Sequence, residues 1–349
     1  MNFSREIPAR PALLAACAVA VLAVGFFLAP AGAAWPGRNG LVVYVGLDQN
    51  PATNLPIPPY VATGLRTFDP GVAGSRTQLT TDSTDRDPQV SPDGRHVVFS
   101  RTVSTAPGRS ISGVFVVGID GNGLTQVTAG GLGEASDIQP TFYPSGKRIA
   151  FVRVGGQADP EQRGAIYSVG LDGSGLRHLI SGLAEVRTPA VSPGGRQIVF
   201  ECRHYLEPGV EYSWEHICSI RPNGSHRRDL TPRFKDGQPA IDPDFSPSGR
   251  TIAFEVGPGT AADVFTVRAN GARLGAFTNR GPRGGRKFPR KLGYDDPAFS
   301  PSGDEILAVA RSGSRPRFVR IPLDDPKHPR PLDASIVGRS PVWAPSARP

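Results

Sequence analysis

The sequence predicts an all-β chain, a six-bladed β-propeller with four antiparallel strands per blade, on two observations. One is a recurring phrase: SPDGRHVVF from Ser91, YPSGKRIAF from Tyr143, SPGGRQIVF from Ser192, SPSGRTIAF from Ser246, SPSGDEILA from Ser300, and a stub, APSA, from Ala344. Its prolines (Pro92, Pro144, Pro193, Pro247, Pro301, Pro345) stand 52, 49, 54, 54 and 44 residues apart, a period typical of stacked supersecondary units. The other is that the truncated last copy has its complement near the start of the chain.

Each unit reads as four strands, a to d. Proline pre-sets φ in the S-P-x-G tetrapeptide, Ser or Asp bonds back to the backbone, and glycine takes the final position, so the phrase is a tight turn. An apolar residue closes strand a before it (Val90, Phe142, Val191, Phe245, Phe299, Trp343). A β-branched and aromatic run such as Val97–Phe99 or Ile198–Phe200 forms strand b after it. Strand c is a second apolar run (Val114 to Ile119, Ile166 to Leu171, His216 to Ile220, Val264 to Val267, Phe318 to Leu323), most copies ending in a turn rich in Asp, Asn and Gly. A short strand d follows, at Gln126, His178, Asp229, Ala276 and Pro331. Four antiparallel strands in about 50 residues make a propeller blade.

The last copy stops after its strand a, Pro341 to Ala344. NGLVVYV from Asn39, the segment Leu65 to Phe68 and TQLT from Thr77 supply its strands b, c and d, which closes the ring and removes exposed edges. Six blades then contain 24 strands in one domain, residues 35–349.

The D-P-x-F-S-P-x-G-x-x-I-A-F pattern, clearest from Asp242 to Phe254, resembles the WD-like repeats of TolB-type six-bladed propellers, over essentially the whole chain after the leader. That family carries an α/β domain before its propeller, which has no counterpart here. The resemblance implies periplasmic residence and binding of envelope proteins.

Residues 1–34 read as a signal peptide: Arg5 and Arg10, an apolar stretch from Ala12 to Ala29, then small residues at Ala31-Gly32-Ala33 or Gly32-Ala33-Ala34. Two other readings stay open. Leu14-Ala15-Ala16-Cys17 matches a lipobox, and the apolar run approaches the length of an uncleaved membrane anchor. Each predicts an exported propeller, periplasmic, cell-surface or secreted. Removing two arginines and one glutamate with the leader leaves 37 basic and 30 acidic residues, a net charge of +7. That modest excess names no partner, and export argues against nucleic acid. A monomer is expected.

Cys202 and Cys218 remain after the leader. A register in which paired residue numbers sum to 420 sets Cys202 opposite Cys218 and His204 opposite His216. A cross-strand disulfide, favoured in an oxidising compartment, a Cys2His2 zinc site and free thiols are the three readings.

The b-to-c loops and d-to-a connections of a propeller emerge on one face, so residues before strand a gather at the channel mouth. Asp87, Gln139, Thr188, Asp242, Asp296 and Ser340 align there. Asp87, Gln139, Asp242 and Asp296 are the candidates for a divalent cation or a ligand's basic group; alternatively, Asp and Ser before proline only shape the turn into the strand. Two loops are candidate contact surfaces. The connection from Thr278 carries Arg280, Arg283, Arg286, Lys287, Arg290 and Lys291 near Phe288 and Tyr294, and suits an anionic polymer or acidic protein face as well as plain solvation. The loop between the cysteines interleaves Tyr205, Tyr212 and Trp214 with Glu207, Glu211 and Glu215, as interface anchors or as packing against the next blade.

G-x-S-x-G, H-E-x-x-H, P-loop and Rossmann fingerprints do not occur, and Leu124 spoils the EF-hand pattern at Asp120. The expected function is therefore non-catalytic binding of a protein, peptide or envelope polymer. The alternative is a metal-dependent enzyme or sugar-binding propeller with its site at the channel mouth.

Overall fold

The computed structural model describes residues 34–346 apart from 48, 51–54, 57–61, 107–108, 131–134, 157–163, 204–214, 233, 235–236, 258–261, 279–292, 313–314 and 333–335. Six four-stranded antiparallel sheets form the blades. Strands a to d are Arg86–Val90, His96–Ala106, Arg109–Gly118 and Thr125–Gln126 in blade 1. In blade 2 they are Ser136–Phe142, Arg148–Val154, Ala165–Gly170 and Arg177–Ile180. Blade 3 has Glu185–Val191, Ile198–Arg203, Glu215–Ile220 and Arg228–Asp229. Blade 4 has Ala240–Phe245, Thr251–Val256, Asp263–Arg268 and Gly275–Ala276. Blade 5 has Gly293–Phe299, Glu305–Ser312, Arg315–Pro322 and Arg330–Pro331. Blade 6 joins the two ends of the chain: Gly338–Pro345, Asn39–Leu47, Ala62–Phe68 and Thr77–Gln78.

The closure lies where the repeat pattern put it, with Val42 opposite Trp343 and Val43 opposite Val342. Each inner strand touches the inner strand of the next blade, and that of blade 6 touches that of blade 1. Two strands exceed the expected 24: Gln49–Asn50 pairs with Leu55–Pro56 as a small ribbon between strands b and c of blade 6.

The S-P-x-G turns hold as their chemistry requires. The Ser91 N–H donates to the His96 carbonyl (2.8 Å), its hydroxyl accepts from the His96 N–H (2.9 Å), and Gly94 sits at φ 72°. Successive turns also pack on one another, since a Cβ at Gly195 would come within 3.2 Å of Pro144 in the preceding blade. Strand b supplies the core between blades, with Phe99, Phe151, Phe200 and Phe254 all at 0% exposure.

The a–b and c–d turns share one end of the ring, here called the base: the N–H groups of Ile119, Leu171, Ala269 and Leu323, at the ends of strands c, reach the a–b turn carbonyls of Arg95, Lys147, Arg250 and Asp304. Residues 34–37 cross this base. The Ala34 N–H donates to Phe245 O in blade 4 (3.0 Å), the Trp35 indole N–H to Val90 O in blade 1 (2.8 Å), and the Gly37 N–H to Pro301 O in blade 5 (3.1 Å). Blades 1 and 4 lie opposite each other, so Trp35, 3% exposed and packed into the core of blades 1 to 4, closes the channel at its base.

Candidate functional site: the channel mouth

Proline has no N–H and cannot continue the strand ladder. Each inner strand meets this constraint in the same way. At Asp87-Pro88, Gln139-Pro140, Thr188-Pro189, Asp242-Pro243, Asp296-Pro297 and Ser340-Pro341 the pairing with strand b skips a residue, and the residue before the proline takes φ 54°, 52°, 44°, 53°, 53° and 53°. These six are the positions aligned from the sequence. They lie inside strand a as bulges, not before it, because the bulge lets the strand absorb a proline and still pair on both sides. Left-handed backbone costs a residue other than glycine on the order of 1–3 kcal/mol, and most for β-branched Thr188.

Side chains from one blade catch the bulge N–H of the next, which offsets part of that cost. The Asp87 carboxylate accepts from the Gln139 N–H, the Gln139 amide oxygen from the Thr188 N–H (3.0 Å), and the Asp296 carboxylate from the Ser340 N–H (2.9 Å). Thr188 and Asp242 leave this role to glutamates of strand b. Glu201 accepts from the Asp242 N–H (2.9 Å) and the Thr188 hydroxyl (2.8 Å), and Glu255 accepts from the Asp296 N–H. A further catch runs from the Phe299 N–H to Asp244 (2.6 Å), again from blade 4 to blade 5.

Glu201, Asp242, Glu255 and Asp296 are all buried, and oxygens of Asp242, Glu255 and Asp296 lie within 4.8 Å of one another. Burial pushes Glu201 up to about 7 and Asp296 up to about 6. It holds Glu255 well above the usual carboxylate range, with the neighbouring Asp296 adding to the effect. Burial also raises Asp87, against a hydrogen bond from Ser100 (2.7 Å). Burial thus makes these carboxylates hold their protons to higher pH than exposed ones do, while they grip backbone N–H groups.

Half-buried Arg86, Arg187 and Arg339 stand immediately before three of the bulges, and Arg311 pairs with Asp295. Desolvation and then the adjacent Arg86 hold Arg339 down to about 10, with Asp296 and Asp87 acting the other way. The mouth is thus two-tiered, guanidinium groups above buried carboxylates. Glu201 and Glu255 were not singled out from sequence; their signal is a carboxylate inside an apolar strand b, in IVFEC and IAFEV.

Cys202 and Cys218 are joined in a disulfide (Cα–Cα 5.8 Å). The register differs from the expected one: pairs sum to 418, so Cys202 stands opposite His216 and Phe200 opposite Cys218. The cysteines bond across a diagonal on one face, which strand twist brings within reach. With both thiols so used, the Cys2His2 zinc set has lost its sulfur ligands. Tyr205, Tyr212, Trp214, Arg286, Lys287 and Arg290 lie outside the described residues. Tyr294 belongs to strand a of blade 5, where it is buried in the core rather than displayed on a loop.

Fold and channel together define a closed six-bladed propeller of S-P-x-G repeats, capped at its base and polar at its mouth. No protein-family model matches the chain, and no curated protein does. Among solved structures it is similar to TolB from Acinetobacter baumannii (17% identity, TM-score 0.63, 88% of this chain and 67% of that one). It is also similar to hydrazine synthase from Kuenenia stuttgartiensis (14%, TM-score 0.67, 88% and 47%) and to a nidogen/laminin complex (11%, TM-score 0.57, 89% and 100%). The chain is TolB-like in fold, spans about two thirds of that TolB chain, and covers less than half of the hydrazine synthase chain. At such identities the likeness is one of architecture, which hosts unrelated activities.

Proposed function

We propose that the chain is an exported, non-catalytic propeller that binds a protein, peptide or envelope polymer through its mouth face. The observation that carries this reading is the asymmetry of the channel. Its base is filled by Trp35, whereas the mouth presents Arg86, Arg187 and Arg339, half-buried, each immediately before a bulge of an inner strand. Arginine is over-represented in binding hot spots because its planar fork gives several hydrogen bonds at once. The TolB and nidogen likenesses agree with a binding role. The test is capture of envelope components by immobilised protein, comparing wild type with an Arg187→Ala variant and a Tyr205→Ala, Trp214→Ala variant. Loss of a specific partner in either supports the reading; identical partners in all three remove the mouth face from it.

A second reading rests on the three carboxylate oxygens contributed by Asp242, Glu255 and Asp296. Three such ligands suit a divalent cation, in a metal-dependent enzyme or a sugar-binding propeller. Binding would have to displace the protons that burial holds there, so uptake would release protons and weaken at acid pH. Titration with calcium and manganese, monitoring heat and proton release, tests it. Saturable uptake abolished by Glu255→Gln and Asp296→Asn supports a cation; absence of uptake even at alkaline pH, where proton competition is weakest, rejects it.

A further inference from the structure

The base is not evenly charged. In blades 3 and 4 its four turns read SPGGR from Ser192, RPNGSHR from Arg221, SPSGR from Ser246 and RANGAR from Arg268. They carry Arg196, Arg221, Arg227, Arg250, Arg268 and Arg273, all exposed, and no aspartate or glutamate. The turns elsewhere on the base mix signs, with Asp93 beside Arg95, Asp120 and Asp172 in blades 1 and 2, and Asp304, Asp324 and Asp325 in blade 5. The arginine-bearing turns form one surface. The Gln197 side chain, next to Arg196, donates to Ala269 O (3.0 Å), and the Ala269 N–H donates to Arg250 O (3.0 Å), so turns from both blades meet at one residue.

The N-terminal segment enters the fold at the same place. Ala34 is bonded to Phe245 O, the residue immediately before the Ser246 turn of blade 4. Ala34, five residues after the apolar stretch Ala12 to Ala29, therefore lies beside the arginine patch.

We infer that the base of blades 3 and 4 docks on an anionic phospholipid surface, leaving the channel mouth facing away from the membrane. The basic patch supplies the electrostatic signal that holds a protein at an anionic bilayer, and a chain that keeps its apolar leader has a second one. Each arginine near an anionic surface strengthens partitioning about fivefold, and the attraction decays within a Debye length of about 8 Å at physiological salt. Exposed turn tips are the part of a propeller that can come that close. The inference is independent of what the mouth binds.

The test is co-sedimentation of the exported protein, as the cell processes it, with vesicles of phosphatidylcholine alone or mixed with phosphatidylglycerol. The expected result is a preference for phosphatidylglycerol that disappears at high salt. In an Arg196→Gln, Arg221→Gln, Arg227→Gln, Arg250→Gln variant the preference should fall by about 600-fold, while the matching lysine variant retains most of it. A protein with no preference for phosphatidylglycerol, or a glutamine variant that keeps it, overturns the inference. A third arm uses soluble polyphosphate: tight binding there without vesicle binding would assign the patch to a phosphate polymer and likewise overturn docking on lipid.

Discussion

The two ends of the inner strands solve opposite problems. At the base, the inner strands of blades 1 to 5 run into P-x-G turns in which proline and glycine occupy conformations they favour, and the channel is closed by an apolar side chain, Trp35. At the mouth, each strand carries a proline within its paired length, and six residues other than glycine are forced to positive φ. The N–H groups of Gln139, Thr188, Asp242, Asp296 and Ser340 are then met by carboxylates and an amide from neighbouring blades. The base gains from burial, and among its described residues other than glycine only His226 and Arg273, in two c–d turns, take positive φ. The mouth stores strain and offsets it with polar catches, the usual condition of a region where function can be built.

Three measurements press on this contrast. The largest effect should come from the base: Trp35→Ala removes a buried indole and its bond to Val90 O, and should cost about 3–5 kcal/mol in denaturant unfolding. An unchanged midpoint would mean that the N-terminal segment is dispensable for the ring. At the mouth, Gln139→Ala leaves the buried Thr188 N–H without its acceptor and should cost about 1–3 kcal/mol, whereas Gln139→Glu, which still accepts, should cost less. If the two variants are equally unstable, the catch is not what holds blade 2 to blade 3.

The third effect is graded with pH. An acid whose pKa is higher in the folded than in the unfolded state binds its proton more tightly when native. The contribution of Glu201 is therefore complete below the unfolded value of 4.5 and lost as pH rises through about 7. Asp296 acts in the same direction up to about 6. Stability from these groups should decline from mildly acid to neutral pH, the reverse of ordinary acid denaturation, and Glu201→Gln should flatten the decline. A stability curve in wild type that rises steadily over that interval would show these carboxylates to be ionised in the fold.

The repeat and its turns were legible because they are local: Pro92 and Gly94 specify their turn within four residues, whatever surrounds it. The alignment of Asp87 with Gln139, Asp242 and Asp296 was legible for the same reason, as a fixed offset from each turn. Their roles were not. Whether a carboxylate faces solvent, a cation or the N–H of a neighbouring blade depends on partners about 50 residues away, as with Glu201 and Asp242. The disulfide register failed differently, since a face with alternating side chains admits both the direct and the diagonal pair, and only the twist of blade 3 selects the diagonal.

By itself, then, the sequence determined the number of blades, the strands within each and the way the two termini complete the sixth, all consequences of short-range turn chemistry and period. The tertiary structure alone decided that Trp35 fills the base, that the mouth carboxylates spend themselves on backbone donors, and that six arginines from two blades share one surface. The physical reason is distance along the chain: hydrogen bonding and charge act through space, and ring closure brings together groups that no local pattern connects.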